Sequence, residues 1–234
     1  MRFEDVLKEL KESSNPKNVE GMARFGINSK NTLGVSVPKL RAIAKKAGKN
    51  HELAKKLWAS GFHEARILAS MVEDPALVSE KQMEEWAKGF DSWDVCDQCC
   101  MNLLCVLPFA QKKVFEWAES EKEFVRRASF ALIACIAWKC ADKEGELEKF
   151  FPLIKKHSID ERNYVKKAVN WALRQIGKKN IELNKKAIAV AKQIQEIDSK
   201  SAKWIAFDAL RELEGEAVQK RLKEKEKKGE KRKK

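Results

Sequence analysis

Trp93 and Asp97 stand four residues apart in the stretch Phe90-Asp-Ser-Trp-Asp-Val-Cys-Asp-Gln-Cys99. In a helix that spacing puts an indole and a carboxylate on one face, a turn from each other. Cys100 and Leu104 continue the stripe, and Val95, Cys99 and Val106 line the opposite side. The expected helix therefore runs to about Val106 and is sandwiched between neighbours. Asp97 is then an acid among mostly apolar side chains, an arrangement that persists only where donors satisfy the carboxylate or chemistry retains it. The structural alternative is equally concrete. Asp91 can serve as N-cap, Asp94 as a first-turn acid facing the helix dipole, and Asp97 as partner to a backbone amide or to an arginine of the next helix.

The elements that must hold these groups read as helices throughout. Helical periodicity covers roughly 2–12, 16–26, 37–47, 51–60, 63–73 and 80–88, then the Trp93 helix, a helix opened by Pro108, and 122–139, 146–157, 161–177, 181–196 and 199–213. Pro16 and Pro38 fall in first turns, Ser79 is placed to cap, and Gly48, Gly61 and Gly89 stop helices. No segment alternates as a strand does. Three later helices share a pattern, and Ala128 to Ala168 is a step of 40 while Ala172 to Ala209 is a step of 37. A period near 40 built from two antiparallel helices is the signature of a HEAT-like solenoid. The second helix of each pair lines its concave side, so the helices of Trp93, Arg127, Trp171 and Trp204 are expected to form one wall.

That wall is basic. Trp171 shares a face with Lys167, Arg174 and Lys178; Arg126 and Arg127 begin the preceding inner helix; and Lys200, Lys203, Trp204 and Arg211 lie on the following one. Cations interleaved with aromatics suit a phosphate backbone and exposed or distorted bases, and the alternative is a solvated charged face over core tryptophans. The chain of 234 residues carries +13, and residues 220–234 contribute +7 of it, ten cations against three acids, so the body keeps +6. A single domain over 1–214 and a Lys-rich, disordered tail over 215–234 are expected, in a monomer.

The chain offers no apolar run long enough to span a bilayer, and Met1-Arg-Phe-Glu-Asp-Val lacks the apolar core of a signal peptide, so a cytoplasmic, membrane-free protein is expected. Six cysteines, four of them crowded between Cys96 and Cys105, fit buried reduced thiols better than a secreted disulfide framework. Cys96 and Cys99 with Cys135 and Cys140 form a conceivable zinc set, but both pairs lie in helical patterns rather than knuckle turns. The three histidines are isolated in sequence. No metal and no cofactor are expected.

Taken together, Trp93-Asp-Val-Cys-Asp97, the following Arg126-Arg127-Ala, Trp171-Ala-Leu-Arg174, Phe25-Gly-Ile and Leu33-Gly-Val-Ser-Val-Pro-Lys-Leu-Arg41 resemble the HEAT-like alkylpurine DNA glycosylases of the AlkD group. The resemblance runs from about residue 15 to 213 and stops short of the lysine-rich end. It implies a monofunctional glycosylase that hydrolyses the N-glycosidic bond of cationic N3- or N7-alkylated purines in double-stranded DNA. It assigns Trp93 and Trp171 to flank the damaged nucleotide, Asp97 to act at its deoxyribose, and Arg127, with Arg126 as the alternative in alignment, to the backbone. Lys167, Arg174, Lys178, Lys203 and Arg211 complete the expected DNA contacts. An alkylated purine already carries positive charge and leaves without a general acid. What the enzyme must supply is a carboxylate for the oxocarbenium-like sugar and its water, with indole faces for the cation. The competing reading is a non-catalytic HEAT-like module that grips DNA or a protein. A carboxylate in the middle of a DNA-facing wall repels phosphate, which favours the enzyme.

Overall fold

Caps and stops set several of the helix ends. Asn15 accepts the amides of Lys17 and Asn18, Asn50 that of Leu53 and Ser79 that of Gln82, while Gly48 and Gly61 take positive φ where helices finish. In the computed structural model, which describes residues 1–233 with the side chains of 141–144 and 229–233 excepted, all regular structure among the described residues is helical. The chain forms two compact units, Met1–Phe109 and Ala110–Lys234, of which Lys234 lies outside the described residues.

The first unit contains α1 (Phe3–Glu12), α2 (Pro16–Arg24), α3 (Val37–Ala47), α4 (His51–Ala59), α5 (His63–Val72), α6 (Glu80–Lys88) and α7 (Trp93–Asn102). Helix α5 is its axis: α3, α4 and α7 all pack on it, and its residues from His63 to Ser70 are buried without a break. A helix enclosed on every side must satisfy its polar groups inside the protein. Glu64 does so by accepting the backbone amides of Leu33 at 2.9 Å, Gly34 at 2.6 Å and Val35 at 3.2 Å. Gly34 has φ +76°, and a Cβ there would sit 2.2 Å from the carbonyl oxygen of Asn15, so only glycine allows the loop to close on Glu64. Ser70 accepts from Asn102, 32 residues away, and His63 meets Asp94, 31 residues away.

The second unit contains α8 (Ala110–Ala118), α9 (Glu123–Lys139), α10 (Phe151–His157), α11 (Asn163–Gly177), α12 (Ile181–Gln195), α13 (Lys200–Leu213) and α14 (Glu216–Lys233). Helix α9 is buried from Val125 to Ala137 apart from Arg126, and it lies along α11, which in turn meets α13. The repeat expected from sequence shows here as a ladder of side-chain bonds at one separation. Asn170 to Asp208, Arg174 to Glu212, Lys186 to Glu148 and Ser199 to Glu161 each span 38 residues.

Some expectations fail: the helix expected over 146–157 starts only at Phe151, after a 3-10 segment over Ala141–Phe150, and two larger departures follow. Helix α7 ends at Asn102, and Leu103 turns to φ −132° and ψ −60° before a 3-10 turn over Leu104–Val106. Leu103, Leu104, Cys105 and Leu107 are all fully buried, and no single helix face can bury so many near-consecutive side chains. The bend turns Val106, expected in the core, outward to 49% exposure. Residues 216–233, expected to be disordered, form α14. Val218 and Leu222, one turn apart, are buried at 5% and 2%. Gln219 donates to the carbonyl of Leu213 and to Asn184, and Lys225 donates to the carbonyls of Lys178 and Lys179. Two apolar residues at helical spacing were enough to dock a segment whose composition is otherwise that of a solvated tail.

Candidate nucleic-acid interface

The N-terminus of α7 is tied down from three directions. Asp94 Oδ2 lies 2.7 Å from His63 Nε2, and Asp94 Oδ1 accepts the Ser92 hydroxyl at 2.6 Å and the Val95 amide at 2.9 Å. The Asp94 carboxylate accepts, so His63 Nε2 is the donor facing it, while Nδ1 is buried without a hydrogen-bond partner. Burial pushes the Asp94 carboxyl up, and the His63, Ser92 and Val95 donors overcome it, leaving the group below its ordinary range. Asp91 accepts from Arg66 at 2.6 Å and from Asn28 at 3.3 Å, so it is a tether to α5 and not the expected cap; Ser92 occupies the cap position. The Trp93 indole N–H donates to the carbonyl of Phe25 at 3.1 Å. The loop over residues 25–35 is therefore fastened at Phe25, Asn28 and Leu33 to Val35. Phe25 itself stands 74% exposed beside Trp93.

Trp93 and Asp97 both lie on this anchored helix, where each is half-buried, less enclosed than the apolar stripe of the sequence implied for Asp97. A carboxylate on a helix fixed by buried bonds cannot reorient freely when charge changes nearby, which is the physical requirement for electrostatic stabilisation. His63, Glu64 and Arg66, which hold α7 and the loop over residues 25–35 in place, are supports that sequence reading passed over. Their signal was the placing of three ionisable residues within four positions at the start of an otherwise apolar helix. The histidines, isolated in sequence, each face a carboxylate: His51 faces Glu73, His63 faces Asp94 and His157 faces Glu119. Among the described residues no group of three or more His, Cys, Asp or Glu is arranged to hold a metal, and the six cysteines are free thiols.

In the second unit the cations expected to meet DNA are mostly engaged. Arg127 is 6% exposed and donates to the carbonyl of Tyr164 at 2.6 Å, binding α9 to α11. Arg126 pairs with Asp160 at 2.8 Å. Glu212 accepts from Arg174 and, at 2.7 Å, from Lys178; Arg211 is held by Asp208, and Lys203 lies 3.0 Å from Asp198. Lys167 is exposed and Trp171 half-buried on α11. Arg174, Lys178 and Arg211 are thus held in a network with Glu212 and Asp208 of α13.

Asp160 is the most perturbed acid here. Burial raises its pKa, but bonds from both Arg162 and Arg126 outweigh that and bring it to about 2. An unfolded aspartate titrates near about 3.9. Stability from this group is present above that value and is lost as pH falls through about 2. Between about pH 4 and 2 native protein should therefore lose part of its stability in this unit, and Asp160→Asn should flatten that part of a urea-midpoint profile against pH.

Fold and charge together define a helical-repeat protein of the HEAT-like class with cation-rich helices. The chain matches the family described as DNA alkylation repair enzyme over residues 6–213, and it belongs to that family. It is similar to an uncharacterized protein, Lin0241, of Listeria innocua serovar 6a, with 24% identity over 206 residues, covering 83% of this chain and 87% of that protein. A solved structure described as a new family of proteins related to the HEAT-like repeat DNA glycosylases with affinity for branched DNA structures shares the fold. Its TM-score is 0.76 at 22% identity, over 90% of this chain and 95% of that one. No helix among the described residues is long and apolar enough to cross a membrane.

Proposed function

We propose that this protein is a monofunctional DNA glycosylase releasing cationic N3- or N7-alkylated purines from duplex DNA. The observation that carries the reading is Asp97 on a helix whose first turn is locked by His63–Asp94, Arg66–Asp91 and Trp93–Phe25 contacts. Asp97 stabilises positive charge developing on the deoxyribose and orients the attacking water, and Trp93 offers its ring face to the cationic base. Trp171 and the cations of the second unit are assigned to the DNA on the family likeness. Incubating the protein with methylated duplex and measuring free base tests the reading, with unmethylated duplex as the control that should release nothing.

A second reading is binding of branched DNA without excision, suggested by the structural neighbour, whose family has affinity for branched DNA structures. It shares the basic surface but has no use for Asp97.

Both readings require the network on α11 and α13 to open toward phosphate. Burial raises the Glu212 pKa, and Lys178 and Arg174 more than reverse that, so Glu212 is ionised and competes with phosphate for both cations. Glu212→Gln should bind duplex several-fold more tightly at low salt and steepen the slope of log affinity against log salt by about 1–2, measured by fluorescence anisotropy.

A further inference from the structure

Lys200, Trp204, Phe207 and Arg211 follow one another on α13 in steps of four, three and four, which keeps them on a single stripe. The opposite side of the helix, with Ile205, Ala206 and Ala209, is fully buried, while Trp204 is 40% and Phe207 63% exposed. These two rings are therefore not the packing residues of the helix. Each has a cation over it: Lys166 Nζ lies 5.2 Å from the Trp204 ring centroid, and Arg211 Cζ lies 5.9 Å from that of Phe207. Each cation lies over a face of its ring and sets positive charge beside it.

A flat apolar surface bordered by positive charge matches a flat group joined to an anion, and a nucleotide is both. Bases in a duplex are already stacked on their neighbours, so only unpaired ones have a face to give. We propose that this stripe is a nucleic-acid site in its own right, on residues other than Trp93 and Asp97. Unpaired bases of a single-stranded DNA segment stack on Trp204 and Phe207, and the adjoining phosphates are held by Lys200 and by Arg211, which exchanges its Asp208 partner for phosphate. The inference rests on DNA binding and is independent of base excision.

Two fluorescein-labelled probes sharing one duplex, blunt or extended by a short dT overhang, test it by anisotropy. Native protein should bind the overhang probe roughly tenfold more tightly, as stacking on exposed aromatics allows. Trp204→Ala combined with Phe207→Ala should lose that preference and keep its affinity for blunt duplex, which also shows that the variant is folded. Trp204→Phe combined with Phe207→Tyr should retain most of the preference. Equal binding of both probes by native protein would overturn the proposal, as would a preference that survives the double alanine variant. So would sedimentation showing a native dimer and a monomeric double variant with no change in DNA preference, since the stripe would then seat a second copy. Base release is scored separately: its absence would remove the glycosylase reading and leave the stripe standing.

Discussion

Glu64→Ala is expected to destabilise the first unit by about 3–5 kcal/mol, the largest effect of any single substitution outside the aliphatic core. The Glu64 carboxylate is 1% exposed and is the acceptor for three successive backbone amides, those of Leu33, Gly34 and Val35. Truncation leaves these donors without an acceptor, at about 1–3 kcal/mol for each group that stays buried. Gly34 cannot retreat easily, because its positive φ and its contact with the Asn15 carbonyl fix the turn. Glu64→Gln keeps one acceptor oxygen and should cost less than half as much. Urea unfolding followed by tryptophan fluorescence measures both, and an alanine variant within about 1 kcal/mol of native would contradict this account of the loop.

The other large effect is catalytic. Asp97→Asn preserves the size and shape of the side chain and removes its charge, so it should leave α7 in place while lowering single-turnover base release about 10²–10³-fold, the magnitude typical of losing one preorganised electrostatic group. Affinity for duplex should change by no more than about threefold, with any shift toward tighter binding, because a negative charge near phosphate is lost. A structural role would give the opposite pattern, a loss of unfolding free energy with release reduced only in proportion to unfolded protein.

Much of this architecture was legible in the sequence because helix ends depend on local chemistry. Asn15, Asn50, Ser79, Gly48 and Gly61 act within a turn of where they sit. The 38-residue ladder of the second unit was anticipated by the steps of 40 and 37 between matching alanines. The corresponding contacts of the first unit were not, since its segments are tied by unlike polar groups rather than by similar helices. Trp93 and Asp97 could be placed on one face by counting, yet what holds their helix could not. The Trp93 indole bonds a carbonyl 68 residues earlier, and His63 meets Asp94 across 31. Basic residues were recognisable as a set, but Glu212 and Asp160, which occupy Arg174, Lys178 and Arg126, come from neighbouring helices and turns that only packing brings near, whereas Arg211 and Asp208 pair within one turn of α13. The bend after Asn102 and the docking of α14 were missed for a related reason. Both depend on a few apolar side chains finding a buried place, against a local pattern that pointed elsewhere.

Release of free alkylpurine from methylated duplex DNA under single-turnover conditions, native protein against Asp97→Asn with DNA binding measured in parallel, tests the central claim most directly. The glycosylase reading predicts release by native protein and its near-complete loss in the variant, with binding retained. Release by neither protein despite intact binding, or equal release by both, would contradict it.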